Sequence, residues 1–211
     1  MKASHIEFLV EEESAEAYLR GLLPQLLGEG TSFAIHPHQG KDDLIEKLPK
    51  RLRGYASWLP ESCRIVVLVD RDKDDCRKLK QAIERMAVEA GLVTRSRARG
   101  RGWQVAIRIA VEELEAWFFG DWEALRRCCT GLPATLRRKA AYRDADAIEG
   151  GTAEALERVL QKAGHFPGRM QKVALARAMG KATDPDAKDS RSFIALREVV
   201  REAAGIGAQR M

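Results

Sequence analysis

Arg64-Ile65-Val66-Val67-Leu68-Val69-Asp70-Arg71-Asp72-Lys73-Asp74-Asp75 is the stretch on which the fold turns. Ile65 to Val69 are all apolar and four of the five are β-branched, which predicts a strand buried on both faces, as in the interior of a parallel sheet. Asp70 and Asp72 follow at its carboxyl end, where open α/β sheets receive their ligands. Two carboxylates one residue apart on an extended chain point the same way and can share a hard cation such as magnesium. The same acids also suit the start of a helix, where aspartate caps free N–H groups and meets the positive end of the helix dipole. Both readings stand at this point.

Working outward, residues 5–10 form a second strand candidate, His-Ile-Glu-Phe-Leu-Val, ending in Glu11. A helix follows from a cap at Ser14 to Leu27. Residues 31–36 read as another strand, after which His36 and His38 form an HxH pair that can serve as metal ligands or as structure. Lys41, behind Gly40 and ahead of helical spacing at Leu44, Leu48 and Leu52, is a candidate phosphate contact. Residues 75–90 are amphipathic, with Leu79, Ile83, Met86 and Val88 on or near the inner face. A loop with Arg95, Arg97, Arg99 and Arg101 leads to a strand over 103–111, and Glu112, Glu113 and Glu115 come directly after it. Glu112 and Glu115 share a helix face. Trp117, Phe118 and Phe119 belong to the core.

Strand and helix therefore alternate, which predicts a mostly parallel α/β sheet of about four strands flanked by helices. From residue 122 onward no strong strand is expected. Helical spacing at 122–129, 153–164 and 193–204 predicts a helical extension, 126–211, packed on the 1–125 core as one structural unit.

The chain has 211 residues, 45% hydrophobic and 32% charged, which fits a globular protein with an ordinary core. It lacks an apolar run long enough for a membrane span and opens with no signal-peptide pattern, so a cytoplasmic location is expected. Cys63, Cys76, Cys128 and Cys129 form no CxxC pair and are expected as free thiols. The net charge of +5 is modest, but arginine at alternate positions from 95 to 101 suits a phosphate-rich partner, or else a solvated loop.

Three strands thus end in acids, at Glu11, at Asp70 and Asp72, and at Glu112 with Glu115. In a parallel sheet those ends share one edge, and crowded carboxylates repel unless a cation offsets them. A strand ending in glutamate, then a hydrophobic strand ending in DxD, resembles the Toprim domain of topoisomerases, primases and the overcoming-lysogenisation-defect nucleases. Leu9-Val10-Glu11-Glu12-Glu13-Ser14-Ala15-Glu16 is similar to its VEGxSE box and Val67 to Asp72 to its DxD box. A closer resemblance is to the bacterial Toprim-like family named domain of unknown function 4276, carried by Gly40-Lys41-Asp42-Asp43-Leu44, by Asp70 to Cys76, by Glu112 to Asp121 and by Ser190-Arg191-Ser192-Phe193. The resemblance implies a nuclease dependent on Mg2+ or Mn2+, with Glu11 as general acid or base and Asp70, Asp72 and Glu115 as metal ligands. Lys41, Ser192 and the arginines at 95, 97, 99 and 101 would meet nucleic acid, DNA or RNA. It also implies an alternative, a non-catalytic module that docks on a partner ATPase in phage defence or mobile-element biology. Glu12 stands where the family pattern usually has glycine, so an altered turn is expected there.

Overall fold

The computed structural model describes residues 2–99, 102–186 and 189–206. Its strands are β1 (His5–Val10), β2 (Ser32–Pro37), β3 (Cys63–Asp70) and β4 (Val105–Ala110). The helices are α1 (Glu13–Leu27), α2 (Lys41–Trp58), α3 (Cys76–Glu89), α4 (Glu115–Gly120), α5 (Trp122–Cys128), α6 (Ala140–Arg143), α7 (Thr152–Lys162), α8 (Lys172–Ala182) and α9 (Arg191–Ala203). All strand pairs are parallel and the sheet order is β2-β1-β3-β4.

The unbroken apolar run of β3 has a direct structural reason. Ile65, Val67 and Val69 pack with Leu44, Leu48 and Leu52 of α2 and Ile83 and Ala87 of α3. Val66 and Leu68 face the other way, into a second core shared with Leu19, Leu22 and Leu23 of α1 and with Leu196 and Val200 of α9. A strand covered on both faces needs apolar residues at every position, and each fully buried side chain of this size contributes about 1.5–3 kcal/mol. On α3 the inner face is Ile83 and Ala87, with Leu79 and Met86 partly buried at its margin.

The helical extension belongs to that second core. Leu175, Ala176 and Met179 of α8 and Phe193, Leu196 and Val199 of α9 lie in the same cluster as α1. Helices α1 and α8 touch backbone to backbone. A Cβ built on Gly21 would stand 2.6 Å from the Gly180 carbonyl carbon, and one on Gly180 would collide with the Tyr18 carbonyl oxygen. Gln25 of α1 also donates its side-chain amide to the Gly180 carbonyl at 3.1 Å.

Two local expectations at the start of α1 change. The helix begins at Glu13, so Ser14 is not its cap but a buried residue of the first turn. Glu12 holds the cap position with φ −151° and ψ 172°, an extended conformation open to any residue, so glutamate in place of glycine costs no backbone strain here.

Candidate functional site

From β1 the chain moves to β2 on one side, then crosses back to β3 on the other. This reversal leaves a crevice at the carboxyl ends of β1 and β3, the place where α/β sheets bind ligands. Glu11 follows β1 and Asp70 ends β3, so both border the crevice. The Asp70 backbone N–H donates to the Glu11 carboxylate at 3.0 Å, tying the two strand ends together. Burial holds the Asp70 carboxyl well above the usual carboxylate range, and the charges of Glu11, Glu115 and Glu12 push it further; the Leu114 N–H at 3.4 Å works the other way. Glu11 is raised too, by burial first, with Asp72 and Glu12 adding to it and the Asp70 N–H and Lys41 opposing.

Beside this pair lies an open cleft of about 620 Å³ lined by Glu11, Gly40, Lys41, Asp72 and Asp74. Gly40 adopts φ +98° and donates its N–H to the Glu11 carbonyl at 3.0 Å, which brings the start of α2 to the crevice. Lys41 then ion-pairs with Asp72 at 2.6 Å and Asp74 at 2.9 Å and donates to the Arg71 carbonyl at 3.1 Å. Burial alone would lower the Lys41 pKa, but these two aspartates outweigh it and raise it. The expectation that Asp70 and Asp72 point together rests on an extended chain, and that condition ends at Asp70. Asp72 takes a left-handed backbone, φ +49°, and directs its carboxylate to Lys41. Asp75 is a helix cap, accepting from the N–H groups of Arg77 and Lys78 at 2.9 Å.

The acids after β4 go three ways. Glu112, at φ +52°, pairs with Arg71 at 2.9 Å. Two non-glycine residues in this region represent backbone strain of about 1–3 kcal/mol each. Glu113 accepts from the Thr152 hydroxyl at 3.1 Å and the Ala153 N–H at 2.8 Å, so it caps α7. Glu115 is 3% exposed and lies 3.6 Å from Lys172, the first residue of α8. Burial pushes its carboxyl up to about 7, with Lys172 opposing and Glu113 and Glu12 reinforcing. Lys172 and Arg169 line a second cleft of about 450 Å³ beside Glu113.

Among the described residues no three histidine, cysteine or acidic side chains are placed to hold a metal ion as a ready-made cage. The HxH pair is divided: His36 bonds to Glu7 at 2.6 Å and His38 to the Val10 carbonyl at 2.8 Å. Magnesium asks for less, one or two carboxylates with water and substrate phosphate completing its shell. Asp70 and Glu115, hard oxygen donors whose burial raises both pKa values, fit that requirement.

A family model described as Domain of unknown function (DUF4276) matches residues 10–200. The chain belongs to that family. The matched span opens just before Glu11 and includes Asp70, Glu115 and Lys172, so the acid edge and the helical extension fall within one family unit. No curated protein and no solved structure matches the chain.

Other residues expected at the site of this DUF4276 protein lie elsewhere. Arg95 and Arg97 form a 3-10 turn ahead of β4, at the amino edge of the sheet, and Arg95 pairs with Glu202 of α9 at 2.7 Å. Arg97 and Arg99 are exposed, while Arg101 lies outside the described residues. Six residues of β4 separate this edge from the acids, about 20 Å at 3.3 Å per residue. If the acid edge receives nucleic acid, neutralising Arg97 and Arg99 together is expected to leave binding of a four-nucleotide oligonucleotide unchanged and to reduce the salt slope only for strands long enough to reach the amino edge. Equal losses for short and long strands would place the loop at the acid edge. Ser192 is buried, accepting from the Trp117 indole at 2.8 Å and bonding to Asp146, which together with the Ser190 cap fixes the start of α9. Lys172 and Arg71, neither singled out by sequence, are the cations that touch the acids after β4. No helix among the described residues is long and apolar enough to cross a membrane.

Proposed function

We propose that the carboxyl edge of this sheet is a Toprim-type site that hydrolyses phosphodiester bonds of nucleic acid with the help of Mg2+ or Mn2+. The observation that carries the reading is the Glu11–Asp70 pair at the strand reversal: both carboxyls are raised chiefly by burial, the charge of Glu11 raises Asp70 further, and the Asp70 backbone N–H donates to the Glu11 carboxylate at 3.0 Å. Asp70 and Glu115 would hold the metal, which when bound stabilises charge on the attacking and leaving oxygens. Lys41 draws the phosphate to the mouth of the 620 Å³ cleft. Glu11, its pKa raised by burial, takes the proton as the water oxygen bonds to phosphorus, and the bond to the leaving oxygen breaks with a proton returned to that oxygen.

Glu11→Gln is expected to cut hydrolysis by at least about 100-fold with oligonucleotide affinity kept, and Asp70→Asn to abolish saturable magnesium binding in calorimetry. Wild-type cleavage that survives Glu11→Gln would remove Glu11 from the chemistry. A second reading has its own support: Lys41 already neutralises Asp72, and the third carboxylate of the expected ligand set is thereby occupied. In it the fold serves as a docking module for a partner ATPase, and both variants keep full function in cells.

A further inference from the structure

Arg71 stands between the two aspartates of the DxD segment, and its side chain is joined to Glu112 in an unusual way. One guanidinium nitrogen donates to Glu112 Oε1 at 2.9 Å. Arginine and carboxylate normally meet through two parallel bonds. Here the second bond is missing: Arg71 Nε and Glu112 Oε2 are both buried, and neither has a hydrogen-bond partner among the described residues. A donor and an acceptor that could satisfy each other are held apart. Buried polar groups left in this state are uncommon and call for a ligand or a functional reason.

The backbone on either side of the pair is held by its own bonds. Asp72 and Glu112 both take left-handed conformations, at φ +49° and +52°. They are bound by the Asp72 N–H donating to the Glu112 carbonyl at 2.8 Å and the Arg71 N–H to the Ala110 carbonyl at 2.9 Å. The two loops are thus locked by main-chain bonds, and the side chains meet with one edge of the guanidinium still offering a proton. Arg71 follows Asp70 directly, and its side chain as a whole is 29% exposed, so solvent reaches part of the guanidinium while Nε itself stays covered.

We propose that Arg71 is a phosphate-binding group of this site, resting on Glu112 until a phosphodiester oxygen takes its place. The inference rests on the phosphodiester reading above and adds the residue that grips the substrate. A planar fork with a free N–H matches a phosphate oxygen better than the point charge of Lys41 does. Glu112 then acts as a competitor for the arginine, not as a support for binding.

Competition and support predict opposite signs. The test is fluorescence anisotropy of the full chain with magnesium and a 20-nucleotide single strand carrying hydrolysis-resistant phosphorothioate links, in DNA and RNA versions. Arg71→Ala is expected to weaken binding on the order of tenfold, the worth of a charge-assisted contact, with Arg71→Lys intermediate. Glu112→Gln should tighten binding, and by more than Glu154→Gln, which removes the same charge nearby without touching Arg71. Weakening by both Arg71→Ala and Glu112→Gln, with thermal melts showing both folded, would make the pair a structural clasp and overturn the inference while the phosphodiester reading stands. Equal tightening by Glu112→Gln and Glu154→Gln would overturn it as well, as a bulk charge effect. Failure of the wild type to bind either strand overturns the phosphodiester reading and this inference together.

Discussion

Gly180→Val is expected to lower the melting temperature by about 10 °C or more, if the protein folds at all, and Gly180→Ala to destabilise it as well. The alanine result is the more telling one. Within a helix, alanine is favoured over glycine by about 1 kcal/mol, so propensity alone predicts a gain at this position in α8. Packing predicts the reverse, because a Cβ on Gly180 collides with the Tyr18 carbonyl oxygen and comes within 2.9 Å of its carbonyl carbon. These neighbours are backbone atoms of α1 and have no rotamer into which to retreat. Overpacking against mobile side chains costs about 1–3 kcal/mol, and here the whole helix must move, which puts the valine variant above about 4 kcal/mol. At this chain length each kcal/mol shifts the midpoint by about 2–4 °C. Displacing α8 also carries Lys172 away from Glu115, so the acid edge should lose its charge balance along with stability. A Gly180→Ala protein that melts higher than the wild type would show that the two helices are free to separate at little cost.

The contrast between β3 and α8 shows where sequence is legible. A strand covered on both faces leaves an uninterrupted apolar run, and the residue after it must face the crevice, so Asp70 could be placed from neighbours in the chain alone. Glu11 and Glu115 followed by the same logic, since parallel strands bring their carboxyl ends to one edge. Helix α8 gave no such signal: Lys172 to Ala182 is rich in alanine, lacks a side-chain cap and ends near a glycine whose meaning is a contact with Tyr18, far away in sequence. With α8 unseen, Lys172 could not be assigned to Glu115. The direction of Asp72 was equally out of reach, because alternation holds only on extended backbone and the left-handed turn is imposed by a bond to the β4 loop. The arginine loop was read by composition, which reports charge but not the edge of the sheet on which that charge is displayed.

Glu115→Gln is expected to stabilise the protein above pH 7 by up to about 3 kcal/mol while leaving its stability near pH 4 unchanged. Burial raises the Glu115 carboxyl from 4.5 to about 7 in the folded state. Between those values the folded chain keeps a proton that the unfolded chain has released, so the wild type loses stability as pH rises through this window and carries the full penalty above it. At about 1.4 kcal/mol per pH unit the cost comes to about 3 kcal/mol, a figure that already includes the opposing pull of Lys172. Urea melts across pH 4–8 check this through the difference between the two proteins, since Asp70 contributes a slope of the same sign to both. Parallel curves would mean that Glu115 keeps an ordinary pKa despite its burial. Magnesium sharpens the comparison: a cation held by Asp70 and Glu115 favours the charged carboxylates, so at pH 8 it should stabilise the wild type and raise the glutamine variant much less. A buried acid that weakens the fold when charged and is relieved by an added cation behaves as a metal ligand and not as a purely structural carboxylate. Equal stabilisation of both proteins by magnesium would assign the ion to other residues and remove Glu115 from the metal site.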